Sequence, residues 1–268
     1  MKKLFCALAV SALFASCQST QNTKTYLPRP ISANEKFNDP QPELDSAFKV
    51  VQITDDKRAG TPEDPKTWFQ VKRGDTTIRI QANPSDSSSG VIDFKDVTFV
   101  NTQRTCMIAQ LKDSSGLTAP FYLIAFKDGK VDVVSLYRAS KGSQDDELMG
   151  LTRIGRDGYV VNHDFFITNV NAKLYFIKRP NENERIKGQF IVKSPDKQTL
   201  VFLMPSSDLY QVNYITNDTY SVPLGIRTNM EGVYAHIQTK FRWDKDKRGV
   251  QFLKPGNDDR IVDISEFK

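Results

Sequence analysis

Residues 121–137 read Phe121-Tyr122-Leu123-Ile124-Ala125-Phe126-Lys127-Asp128-Gly129-Lys130-Val131-Asp132-Val133-Val134-Ser135-Leu136-Tyr137. Asp-Gly between two apolar runs is the strongest short hairpin signal, because both central residues of a type I′ turn need positive φ, which Gly adopts freely. A two-residue loop sets the register: Phe126 faces Val131, Ile124 faces Val133 and Leu123 faces Val134. Both faces of this hairpin are largely apolar, which places it in the centre of a sandwich or barrel and not at its edge.

Strand signals continue on both sides. Thr77-Ile78-Arg79-Ile80-Gln81-Ala82 alternates polar and apolar residues with the two-residue period of a half-buried strand, and Arg73-Gly74-Asp75 before it reads as the turn from Trp68-Phe69-Gln70-Val71. Downstream, strands are expected at 158–161, 164–168, 173–178, 187–193, 199–204, 209–215 and 219–224. Pro205, Pro223 and Pro255 stand where central strands do not continue. Short strands separated by regular turn signals indicate an all-β fold, an antiparallel sandwich or barrel.

The most polar interruption of this pattern is Arg138-Ala139-Ser140-Lys141-Gly142-Ser143-Gln144-Asp145-Asp146-Glu147. It either separates two β domains, 47–138 and 151–268, or forms one long loop; two domains is the preferred reading. Before them, residues 17–46 are rich in Gln, Ser, Thr, Asn and Pro, with Pro28, Pro30, Pro40 and Pro42. That composition buries too little to offset its ordering entropy and reads as a flexible tether, with a short helix beginning near Pro42.

The first residues carry a different message. Met1-Lys2-Lys3 precedes an apolar stretch from Leu4 to Ala15, too short to span a bilayer, and ends at Ala15-Ser16-Cys17. This segment resembles a bacterial lipoprotein signal. The resemblance implies removal of residues 1–16, lipidation of Cys17 as the new N-terminus and anchoring of the chain to the membrane through that lipid. Gln18, where enteric lipoproteins retained at the inner membrane have Asp, points to the outer membrane, on its periplasmic or its surface side.

Two of the 37 Lys+Arg residues fall within residues 1–16, so the remaining 252 residues carry 35 cations against 32 acids, close to balance. Nucleic-acid binders gather their cations into a stripe, whereas here they alternate with acids, and no nucleic-acid partner is expected. Cys6 leaves with the signal and Cys17 is consumed by lipid. Cys106 then has no disulfide partner, and its apolar setting, Thr105-Cys106-Met107-Ile108-Ala109, makes it a buried, unreactive thiol.

Catalytic constellations are scarce. His163 and His236 are the only two histidines, and neither has another at metal-ligand spacing, so no metal site and no cofactor is expected. Asp244-Lys245-Asp246-Lys247-Arg248-Gly249 begins like a calcium loop, but Pro255 stands where the closing acid belongs; it reads as a turn. No G-x-S-x-G or phosphate-binding glycine loop occurs. Ser87-Ser88-Ser89 and Ser114-Ser115 sit in turn-like composition. His163 beside Asp164 suggests a catalytic pair, although neighbours in a strand point to opposite faces. Asp145-Asp146-Glu147 and Asp258-Asp259 offer carboxylates to a glycan hydrolase, whose chemistry depends on a spacing that adjacency does not provide.

One stretch stands out as a candidate binding surface. Val233, Ala235, Ile237, Thr239, Phe241 and Trp243 alternate with Tyr234, His236, Gln238, Lys240 and Arg242, the pattern of one long amphipathic strand. Its polar face would set an aromatic, an imidazole, an amide and two cations in a row, suited to a glycan or protein partner, or merely solvated. The expectation is therefore a lipid-anchored envelope protein with a non-catalytic binding or assembly role and an envelope protein or glycan as partner. A glycan-acting hydrolase and a surface-exposed ligand-binding lipoprotein are the alternatives.

Overall fold

The computed structural model describes residues 22–38, 47–54, 67–111, 120–140 and 149–256. Cys17, Asp145, Asp146, Glu147, Asp258, Asp259, Ser114 and Ser115 lie outside the described residues, as does the helix expected near Pro42. The described residues are mostly β, as the sequence pattern requires, with 19 strands and one helix.

The Asp128-Gly129 hairpin forms as expected. Strands β8 (Phe121–Lys127) and β9 (Lys130–Ser135) pair Phe126 with Val131, Ile124 with Val133 and Leu123 with Val134, and φ is 53° at Asp128 and 74° at Gly129. Its central position also holds. Phe121, Leu123 and Ala125 enter one apolar cluster and Tyr122, Ile124 and Phe126 another, so β8 is buried on both faces. This hairpin is one wall of a nine-stranded sheet. Its other members are β1 (Asn22–Tyr26), β2 (Phe48–Thr54), β3 (Thr67–Arg73), β4 (Thr76–Gln81), β5 (Gly90–Val91), β6 (Phe94–Phe99) and β7 (Cys106–Leu111).

The sheet curls into a barrel that the N-terminal segment closes. β1 runs parallel to β4, from Asn22 opposite Thr76 to Tyr26 opposite Ile80. Three residues on, Arg29 donates its N–H to Val133 O at 3.0 Å and accepts from Ser135 N–H at 3.0 Å, so the same strand line reaches β9 at the other edge. The Arg29 guanidinium reinforces this seam with two bonds to Asp132, at 2.9 and 2.6 Å, and two to Glu35, at 3.1 and 2.6 Å. The flexible tether expected over 17–46 is thus corrected for residues 22–38. Its polar side chains are those of an exposed edge strand, and backbone pairing supplies the order that its composition does not.

Residues 31–37 then cross to the next layer. Asn34 and Phe37 donate to Leu174 O and Ala172 O, Leu174 donates back to Glu35 O, and Phe37 is 1% exposed. That layer is a four-stranded meander of β10 (Leu151–Ile154), β11 (Gly158–Val161), β12 (Phe165–Thr168) and β13 (Leu174–Phe176). The two-residue period divides its side chains. Tyr159, Val161, Phe165, Ile167 and Leu174 pack on the barrel, with Cys106, Leu123 and Val134 among their neighbours. Val160 and Phe166 face the opposite way, onto Leu200, Phe202, Tyr210 and Val212. Those belong to a second meander, β14 (Gln189–Lys193), β15 (Thr199–Leu203), β16 (Asp208–Asn213) and β17 (Thr219–Pro223). One apolar cluster therefore spans the expected boundary at 138–151, and the cores on its two sides are continuous.

The outermost layer corrects one expectation outright. Val233–Trp243 is not a strand. Met230–Lys240 is α1, and β18 (Phe241–Lys245) follows without a gap, paired with β19 (Gln251–Pro255). Asn229 caps the helix by accepting from Gly232 N–H at 2.9 Å, Glu231 lies in the first turn, and Val233 and Ile237, four residues apart, are buried against Val201, Leu209 and Leu253. Ala235 and Thr239, apolar-face positions in the strand reading, are exposed. Alternation is real only in Phe241–Lys245, and its chance extension backward hid the helix.

Candidate functional site

The five residues expected to line one polar face are dispersed by the helix. Four residues separate Tyr234 from Gln238 and His236 from Lys240, so each pair shares a face, but the two pairs stand about 200° apart around the axis. Arg242 projects from β18. His236 is occupied structurally: its Nε2 lies 3.0 Å from Leu224 O and its ring packs edge-on against Phe241. Tyr234, Gln238, Lys240 and Arg242 are exposed but form no common row.

His163 and Asp164 are also drawn apart. Asn162 and His163 both adopt positive φ, 50° and 54°, in the β11–β12 turn, which sends the two side chains to different partners. The His163 ring places Nδ1 2.9 Å from Ile186 O and packs at a tilt against the Phe202 ring, and burial pushes its pKa below the ordinary value. Asp164, 1% exposed, receives Arg179 through two bonds, 2.7 Å from Nε and 2.9 Å from Nη2, and Arg185 Nε at 3.1 Å, while Arg138 Nη1 stands 3.8 Å away. Arg179 also donates to the carbonyls of Ala139 and Arg138. This cluster fastens the start of the 138–151 connection to the second layer, and nothing in it resembles a proton relay.

Other chemistry is equally settled by local contacts. Asp246 accepts the N–H groups of Arg248 and Val250 at 2.8 and 2.9 Å, which makes 244–249 a turn, as read from its composition. Asp86 does the same for Ser88, so the serines at 87–89 belong to a turn. Cys106 is fully buried, and burial pushes its thiol pKa far up, matching the expected inert cysteine. Among the described residues no group of three or more His, Cys, Asp or Glu comes together to hold a metal, and no helix is long and apolar enough to cross a membrane.

Among the described residues, a groove of about 370 Å³ lies between the barrel and the first meander. Three turns build it. Phe99–Gln103 comes from the end of β6 and its connection to β7, Arg153 and Arg156 from the end of β10 and the turn after it, and Asn169 and Val170 from the β12–β13 turn, with Tyr159 at the base. Asn101 fixes the first turn, accepting N–H bonds from Thr105 and Cys106 through Oδ1, and Asn38 Nδ2 ties the third by donating to Val170 O at 2.8 Å. Arg153 and Arg156 are exposed; Arg153 Nε donates only to Gly155 O nearby, and among the described residues neither forms an ion pair. Asn169 Nδ2 donates to Arg156 O, while its Oδ1 is buried without a partner. Val170, 77% exposed, leaves an apolar tip at the rim. Two cations, amides and a hydroxyl around an aromatic floor suit an oxygen-rich anionic ligand. None of these residues was singled out by the sequence reading, because they lie on three turns up to about 70 residues apart with no local motif.

Neither the family models nor the curated proteins compared with this chain give a match.

Proposed function

We propose that this chain is a lipid-anchored protein of the bacterial envelope with a non-catalytic binding role, and that the groove between barrel and first meander receives an acidic glycan of that envelope. The anchor is Cys17, following the signal-like residues 1–16, and Gln18 favours the outer membrane. The groove carries the binding role: Arg153 and Arg156 offer guanidiniums that pair with sugar carboxylates or phosphates, and Gln103, Thr102 and Asn169 offer hydroxyl-matching partners beside Tyr159. Such groups are suited to recognising an anion.

A photo-crosslinking residue placed at Val170 in living cells, followed by mass spectrometry, tests this reading. Glycan-bearing adducts that disappear in Arg153→Glu/Arg156→Glu are the expected result. Adducts that persist unchanged in that variant overturn the assignment of the groove. The anchor is tested separately: palmitate labelling should occur in the native chain and vanish in Cys17→Ala.

A further inference from the structure

The chain enters the barrel at one rim, and that rim is basic. Asn22 lies opposite Thr76, Thr76 faces Arg73 across the Gly74-Asp75 turn, and Arg73 faces Phe48. Phe48 N–H donates to Arg104 O at 2.9 Å, and the Arg73 guanidinium lies 3.7 Å from the centre of the Phe126 ring, beside the Lys127–Lys130 turn. Four further chain segments thus surround the entry point of β1. They carry Lys49, Lys72, Arg73, Arg104, Lys127 and Lys130 against Asp75 and Asp128, a balance of +4. Residues 83–93, joining β4 to β6 at the other end of the barrel, contain two aspartates and no Lys or Arg.

Two details of the rim are costly for the isolated fold. Lys49 and Lys72 are paired directly across β2 and β3, an arrangement of like charges that weakens a sheet. Arg73 Nε is buried with no hydrogen-bond partner among the described residues. The first of these costs diminishes when an anionic surface lies against the rim.

We infer that this rim is a docking surface for an anionic lipid bilayer. Asn22 follows Cys17 by five residues, a fully extended reach of about 18 Å. A lipid on Cys17 therefore holds the rim near the headgroups, within about two Debye lengths at physiological salt. The orientation rests on the proposed lipidation of Cys17, whereas the attraction of the rim for anionic lipid does not. Arg104 directly follows Gln103 of the groove, so the groove opens at the margin of this surface.

The test uses residues 17–268, which contain every described element, with Cys17→Ser so that no lipid is attached. Sedimentation is compared between vesicles of phosphatidylcholine alone and vesicles containing one third phosphatidylglycerol. Binding to the anionic vesicles alone, abolished by high salt, is expected. Lys49→Gln/Lys130→Gln, at two exposed positions, should weaken it by about fivefold per residue, with an unfolding midpoint no lower than that of the native sequence showing that the variant folds. Equal binding to both vesicles, no binding to either, or anionic binding unaffected by the double variant overturns the inference. Competition by purified cell-wall glycan that strips even the Arg153→Glu/Arg156→Glu variant from vesicles reassigns the rim to glycan and overturns it too. Failed palmitate labelling with intact anionic-vesicle binding removes the anchor and leaves the rim standing; the opposite pair of results does the reverse.

Discussion

Replacing Asp164 by Asn keeps the shape of the side chain and removes the only carboxylate charge buried among the described residues. Arg179 and Arg185, 4% and 5% exposed, then lose the carboxylate that lies between them, with Arg138 close by. The Asn amide would also point a donor at guanidinium donors. Removing one partner of a buried ion pair costs about 3–5 kcal/mol, a rise in the unfolded fraction of roughly two hundred to several thousand fold. For a chain of this size the melting temperature should fall by about 6–20 °C. Arg138→Met provides the contrast. Its side chain is 31% exposed and Asp164 keeps both buried partners, so a loss of about 1 kcal/mol is expected. Urea unfolding followed by the fluorescence of Trp68 and Trp243 measures both variants. A cost below about 1 kcal/mol for Asp164→Asn, or one no larger than that of Arg138→Met, would refute the view that this carboxylate holds the cluster together.

Gly158→Ala should destabilise by about 2–3 kcal/mol because its Cβ would meet Ile167 O at 2.1 Å, whereas Gly129→Ala, with open space but φ of 74°, should cost about 1 kcal/mol; thermal melts rank the two. Burial holds the folded His163 below its ordinary value near 6.5, so the unfolded chain takes up the proton first and stability falls as pH drops below about 6.5; His163→Gln should flatten the pH dependence of the urea midpoint between about pH 7 and 5. Arg29→Met should cost about 1–2 kcal/mol at low salt and less at high salt. The Arg29 bonds hold the Glu35 carboxyl below its usual range, so in the native protein this contribution is present above about pH 4.3 and lost as pH falls through the lowered value, and the native-to-variant gap should close in acid. Cys106, in residues 17–268 with Cys17→Ser, should resist a thiol reagent until urea unfolds the chain; rapid labelling of the native protein would contradict its burial.

What the sequence discloses here follows the range of the forces involved. Asp128-Gly129 dictates its hairpin through the φ values of two neighbouring residues, so turn, register and two-sided burial were all legible. β1 was not, because Asn22-Thr23-Lys24-Thr25 has the composition of a linker and acquires its conformation from β4, some 50 residues away. α1 failed for a different reason: Val233, Ile237 and Phe241 satisfy helical and alternating patterns alike, and the decisive signal was Thr228-Asn229-Met230-Glu231, a capping residue followed by an acid. The groove escaped because its residues come from segments up to about 70 residues apart, none of which carries a local motif. The continuity of the apolar core across 138–151 was equally hidden, since alternate residues of β11 and β12 serve different neighbours and composition is blind to which.

Arg29 and Asp132 stand 103 residues apart in sequence, and the chain emerges with its first strand ahead of both the edges that strand must join. Bringing such distant positions together costs about 4 kcal/mol of loop entropy, so barrel closure belongs to the late, slow part of folding. Until then β4 and β9 each keep an unpaired edge. The interval before closure is when this protein is open to edge-to-edge association with another copy of itself, and a chaperone that shields exposed strand edges would act in that interval.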